Sequence, residues 1–127
     1  MGVRGIRGAT TIEENRSEDL LVATRELMEE LVRQNEIKPE HVAAVFITVT
    51  TDLDADFPAK AVRMVNGWEL VPLMCSTEIP VPGGLAHCIR LLLLVNTDLG
   101  LDQVKHVFLR DAVKLRPDLA NKNPLTF

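Results

Sequence analysis

Two arginines and one carboxylate stand where a charged side chain needs a partner. Arg7 lies in Arg4-Gly5-Ile6-Arg7-Gly8, between glycines whose missing side chains would let a ligand come close to the backbone. Arg90 opens the apolar stretch Leu91–Val95, a costly place for a charge unless it meets an anion. Glu78 follows Cys75 by three, in a segment leaving an expected strand. A guanidinium is a planar fork matched to carboxylates, so this set suits a small anionic ligand. Taken one at a time, each is more simply a solvated strand end (Arg7, Arg90) or a loop acid (Glu78). Spacing alone therefore defines an anion-binding α+β domain and no more.

The familiar catalytic patterns are missing. The chain has no Gly-x-Ser-x-Gly, no P-loop and no Gly-x-Gly-x-x-Gly. His41, His87 and His106 are scattered, and His87-Cys88 with the distant Cys75 matches no common zinc spacing. Cys75 has no sequence-identifiable base, so a plain apolar cysteine is the simpler reading. No metal or cofactor is expected.

The elements that must position these groups fit one domain over residues 1–127. Hydrophobic residues make up 46% and charged residues 25%, an ordinary globular balance. A net charge of −4 leaves no basic excess for nucleic acid, although nine of the fourteen basic residues are Arg. The start, Met1 to Arg7, carries no secretory signal, and Leu91–Val95 is far too short to span a bilayer. Two cysteines make no disulfide framework, so cytoplasmic residence without membrane contact is expected.

Val3–Thr11 reads as a strand interrupted by Gly5 and Gly8. Ser17 reads as the N-cap of a helix in which Leu20, Leu21, Thr24, Leu27, Met28, Leu31 and Val32 recur at helical spacing until Asn35. Lys38-Pro39-Glu40 is a turn, and the nearly all-apolar run Val42–Val49 predicts a strand covered on both faces. Asp56-Phe57-Pro58 opens a second helix, with Gly67 just past its end. Further strands are expected at Leu70–Met74, Ile89–Thr97 and Val104–Leu109, with a loop at Pro80–Gly84. The tail, about 116–127, is polar and expected to be flexible. The order predicts an α+β fold, one mixed sheet covered on one side by two helices. Its thinly covered second face points to self-association.

Five strings then carry a family resemblance. They are Arg4-Gly5-Ile6-Arg7-Gly8-Ala9-Thr10-Thr11; Phe57-Pro58-Ala59-Lys60-Ala61-Val62-Arg63; Cys75 with Glu78; Cys88-Ile89-Arg90; and Leu115-Arg116-Pro117-Asp118-Leu119. In order and over essentially the whole chain, they resemble the AroH-type, monofunctional chorismate mutases. The resemblance implies the Bacillus chorismate mutase-like fold, assembling as a pseudo α/β-barrel homotrimer with active sites between subunits. It implies the Claisen [3,3] rearrangement of chorismate to prephenate, in phenylalanine and tyrosine biosynthesis, with no cofactor. That unimolecular reaction needs no nucleophile or metal, which explains the missing motifs.

By the same resemblance, Arg90 meets the ether oxygen and a carboxylate, and Arg7 binds a carboxylate. Glu78 and Cys75 contact the ring hydroxyl, with Met74, Ser76 and Thr77 alongside. Phe57 and Leu115 supply apolar wall, and Lys60, Arg63 and Arg116 stand near the mouth. Phe108 departs from the family, which commonly has Tyr there; the ring is kept and a hydroxyl donor is lost. Two other readings fit the architecture: a trimeric small-anion sensor without catalysis, and a RidA-like enamine or imine deaminase. The latter's C-terminal Pro-x-Arg and Glu-Met/Ile signature is missing from this chain.

Overall fold

The computed structural model describes residues 2–115; Arg116 and the expected flexible tail, 116–127, lie outside them. Among the described residues the order is β1 (Gly2–Thr11), α1 (Ser17–Asn35), β2 (Val42–Val49), α2 (Ala59–Arg63), β3 (Leu73–Thr77), β4 (Cys88–Thr97) and β5 (Val107–Phe108). Short 3-10 turns follow α1 at Pro39–His41 and β5 at Arg110–Lys114. The strands form one mixed sheet in the order β3-β2-β4-β1-β5, and the domain is α+β.

Alternation along the strands sorts the sheet into two faces. Ile6, Val45, Ile47, Ile89, Leu91 and Leu93 pack with Leu20, Leu27, Met28 and Leu31 of α1 in the main core. Each fully buried Leu of that stripe contributes about 1.5–3 kcal/mol of transfer free energy. Gly5 and Gly8 do not interrupt β1, which pairs with β4 without a break from Gly2 to Thr11. Nor does Gly8 make room for a ligand. A Cβ there would lie 2.7 Å from a Leu31 methyl, so the glycine lets α1 sit close on the strand. Gly5 shares the opposite face with Arg7 and is backed by Leu92.

Three further expectations shift. β3 starts three residues late, at Leu73, because Pro72 has no N–H for the ladder; its carbonyl accepts from Val45 N–H at 2.9 Å. β2 is covered on one face only: Val42, Val45 and Ile47 are buried, whereas Phe46 is 39% exposed. β5 shrinks to two residues paired in parallel with β1.

Ser17 starts α1 but does not cap it. The cap position is Arg16, and the Ser17 hydroxyl instead donates to Asp56 Oδ2 at 2.6 Å. Ser17 stands one residue past the cap, inside the first turn, and its hydroxyl makes a charge-assisted bond to the carboxylate across from it. Asp56 also meets Lys60 Nζ at 2.7 Å and accepts from Phe57 N–H, which ties the start of α2 to α1. Lys60 first, then Ser17, hold the Asp56 carboxyl down to about 2. A carboxyl depressed in the folded state adds stability above its unfolded pKa and loses it as pH falls through the folded value. Asp56→Asn is therefore expected to melt lower than the parent at pH 7. The gap should close between about pH 4 and pH 2. Thermal melts across that range check it, and a gap independent of pH contradicts it.

Candidate active site

On the face away from α1, the pairing register aligns one residue from every strand. Ser76 on β3 lies beside Thr48 on β2, Thr48 beside Arg90 on β4, Arg90 beside Ala9 on β1, and Ala9 beside Phe108 on β5. Paired residues share a face, so this row crosses the whole sheet. Arg7 precedes Ala9 by two residues on β1, opposite Leu92, which puts its backbone roughly 7–8 Å diagonally from Arg90. The fold thus sets two guanidinium groups on one face although 83 positions separate them in sequence.

Glu78 joins Arg90 from the end of β3. Its N–H donates to the Val49 carbonyl at 2.9 Å, and its Oε2 accepts from the Thr48 hydroxyl. Arg90 Nε lies 3.7 Å from that oxygen, too far for a direct hydrogen bond. Arg90 Nε is shielded from solvent and, among the described residues, has no hydrogen-bond partner. A buried donor left unmade costs about 1–3 kcal/mol, and more when charged, so this N–H is set to meet an acceptor that binds there.

Glu78 and Arg90 open into a cleft of about 370 Å³ lined also by Thr50, Asp52, Pro80 and Val81. That volume suits a small metabolite. A larger cavity of about 900 Å³ lies beyond Leu85–His87, among Glu13, Glu18, Asp19 and Asp111. Its lining sets those four carboxylates against Arg110, a net negative rim that disfavours an anion. The loop walling that cleft is anchored by Asp52, whose carboxylate accepts from His87 N–H at 3.0 Å and from the Thr50 hydroxyl. Burial pushes the Asp52 carboxyl up, but the Thr50 and His87 hydrogen bonds outweigh it and hold the group below the usual range. His87 sits at φ 49°, a left-handed conformation that those bonds help to hold.

Phe108 is fully buried with Ala9, Cys88 and Ala112, and Leu115 packs against them. The Arg7 guanidinium lies over the Phe108 ring, 5.8 Å from its centroid, and Arg7 N–H donates to His106 Nδ1 at 2.9 Å. The ring therefore supports the cation directly. Burial pushes the Cys88 thiol up despite nearby Arg90, which suits a packing residue. Among the described residues, no group of three His, Cys, Asp or Glu side chains could hold a metal.

The remaining candidates sit elsewhere. Met74 shares the row's face, beside Phe46, and is 67% exposed. Cys75 and Thr77 alternate to the other face, with Ile47 and Val49, and Cys75 is exposed. Phe57 is 68% exposed before α2; Lys60 is held by Asp56, and Arg63 ends α2 in solvent. α2 packs on α1 and β3, on the helix-covered side. Arg116 lies outside the described residues. One chain thus gathers Arg7, Arg90, Glu78, Phe108 and Leu115, and holds Phe57, Lys60 and Arg63 apart from them.

Sequence reasoning missed Thr48, Asp52 and His106. For Thr48 a signal existed, the lone hydroxyl in the apolar run Val42–Val49. His106 and Asp52 act through loop contacts that leave no periodic trace.

The fold is a mixed-sheet α+β domain with a cleft at Arg90 and Glu78. Residues 3–119 match the family described as chorismate mutase type I. The chain is 48% identical over 120 residues to chorismate mutase AroH of Bacillus subtilis (strain 168), covering 94% of each chain. It is 52% identical over 118 residues to the Thermus thermophilus chorismate mutase AroH, covering 92% of this chain and 96% of that one. Its fold superposes on a chorismate mutase from Clostridium thermocellum with a TM-score of 0.83 at 42% identity, covering 86% of this chain and 96% of the other. The chain belongs to the type I chorismate mutase family. Its activity is that of an isomerase of aromatic amino acid biosynthesis, with chorismate as substrate and prephenate as product.

Proposed function

We propose that Arg7, Arg90 and Glu78 form the charged half of the chorismate site, and that a neighbouring chain of a homotrimer supplies the rest. The observation that carries this reading is the buried, unpartnered Arg90 Nε beside Glu78. The rearrangement is unimolecular, so the site has to hold a dianion in a compact chair and stabilise charge as the ether C–O bond breaks. Arg90 donates to the ether oxygen and one carboxylate, and Arg7, braced on Phe108, binds a carboxylate. Glu78 accepts from the ring hydroxyl, whereas the Cys75 side chain lies on the other face of β3. Leu115 adds apolar wall from the same chain.

Phe57, Lys60 and Arg63 stand on the opposite side of the edge strand β3. A ligand seated on Arg90 could touch them within one chain only by straddling that edge. Contributed by a neighbour, they close the cleft with an aromatic wall and a cationic mouth, to which Arg116 adds charge. Face-on packing of the sheets would also cover Phe46 and Met74. Free cysteines and the lack of any described helix long and apolar enough to cross a membrane fit a cytoplasmic site of action.

The test pairs activity with mass. Chorismate loss is followed by ultraviolet absorbance, and prephenate is identified by acid conversion to phenylpyruvate. Light scattering on the same sample is expected to give a mass near three chains. A monomer with full activity overturns the shared site.

Phe108→Tyr tests the placement of that ring. A hydroxyl in reach of a substrate carboxylate contributes about 1.5–3 kcal/mol at best, partly offset by desolvating the phenol. The expected result is a KM about three- to tenfold lower with kcat little changed. Loss of activity in steady-state kinetics would place residue 108 away from the ligand.

A further inference from the structure

We infer that Thr48 is a positioning residue for the reaction, holding Glu78 so that Arg90 Nε stays available to the ligand. The inference rests on the reading of Glu78 and Arg90 as substrate contacts. The Thr48 hydroxyl donates to Glu78 Oε2, the same oxygen that Arg90 Nε faces at 3.7 Å. Among the described residues, no side chain donates to Oε1, which leaves it to accept from a ligand. The carboxylate is thereby divided, one oxygen held by the protein and one presented to the cleft.

Thr48 suits this work by its place in the sheet. It lies on β2 between Ser76 of β3 and Arg90 of β4, paired on both sides, so its backbone is held by two ladders. Its β-branched side chain has a restricted χ1, which aims the hydroxyl. Glu78 has no such support: β3 ends at Thr77, and the backbone tie to Val49 is the last before the loop. Without the Thr48 donor, a flexible carboxylate beside a guanidinium is expected to close into a direct ion pair. That pair would occupy the Nε donor that has no other partner. The loss would fall on the transition state, where Arg90 acts.

The test is steady-state kinetics on Thr48→Val, Thr48→Ser, Glu78→Ala and the Thr48→Val/Glu78→Ala double variant. Val keeps the shape and strand preference, so the fold is retained. Thr48→Val is expected to lower kcat/KM about ten- to thirtyfold, chiefly in kcat, and Thr48→Ser is expected to recover most of it. In the Glu78→Ala background, Thr48→Val is expected to change activity less than about twofold, because the two act as one unit. A Thr48→Val enzyme within about twofold of the parent overturns the inference, as does a Ser variant as impaired as Val, or additivity in the double variant. If Glu78→Ala alone is fully active, the underlying site assignment fails, and that result is distinct from a failure at Thr48.

Discussion

Replacing Arg90 by Ala is expected to lower kcat/KM at least about a thousandfold, roughly 4 kcal/mol of lost transition-state stabilisation. The magnitude follows from where its Nε stands. It is shielded from water, makes no hydrogen bond among the described residues and lies 3.7 Å from a carboxylate oxygen already held by Thr48. In the proposed site, where an ether oxygen would lie in front of it, a donor in that state costs nothing further to desolvate as charge develops. Its gain is therefore larger in the transition state than in the ground state. Arg90→Lys keeps the charge and loses the planar fork, and the shorter donor set cannot face Glu78 and a ligand at once. We expect it to remain badly impaired. A Lys variant with near-normal turnover would mean that charge alone suffices and that the Nε geometry is incidental. Circular dichroism on both variants separates a chemical loss from a folding one.

Introducing a charge at Phe46, on the open face, is expected to break the proposed trimer. Phe46 lies on β2 next to Met74 of β3 and Leu92 of β4, and it is 39% exposed in the single chain. For a monomer, Phe46→Glu would be a mild substitution at a half-exposed position. Within a packed trimer it would bury an unpaired carboxylate at several kcal/mol in each chain. The expected outcome is loss of the trimer in light scattering, a largely retained far-ultraviolet spectrum, and chorismate mutase activity down more than about a hundredfold. In the proposed shared site, activity falls because Phe57, Lys60 and Arg63 of a neighbour would no longer reach the Arg90 cleft. Retention of both mass and activity would show that this face does not carry the assembly.

The sequence by itself determined most of the elements and, through the resemblance, the family. α1 was legible because Leu20, Leu27, Met28 and Leu31 repeat at the helical period, a signal that local geometry writes directly into the chain. Its start was half legible. Ser17 has the right type for a cap but stands one residue past it, and its hydroxyl goes to Asp56, 39 residues away, a partner no local rule reveals. β3 was misplaced for a nearer reason, the Pro72 N–H deficit, which could have been read in advance. Arg7, Glu78 and Arg90 stood out as charges beside glycine, strand end and apolar run, and the resemblance gave them roles.

Only the tertiary structure decided which of these residues meet. The transverse row from Ser76 to Phe108 exists because register across five strands brings distant positions abreast, and register is a property of pairing that no single strand contains. The same pairing set Thr48 beside Arg90 and within reach of Glu78, assigned Gly8 to helix packing and turned Cys75 away from the row. It also parted Phe57, Lys60 and Arg63 from the arginine cleft, since α2 packs against α1 and β3 on the covered side. Sequence period fixes which face a side chain takes within its own element. Which faces then share a cleft depends on long-range packing, where one residue of slip would reverse the answer.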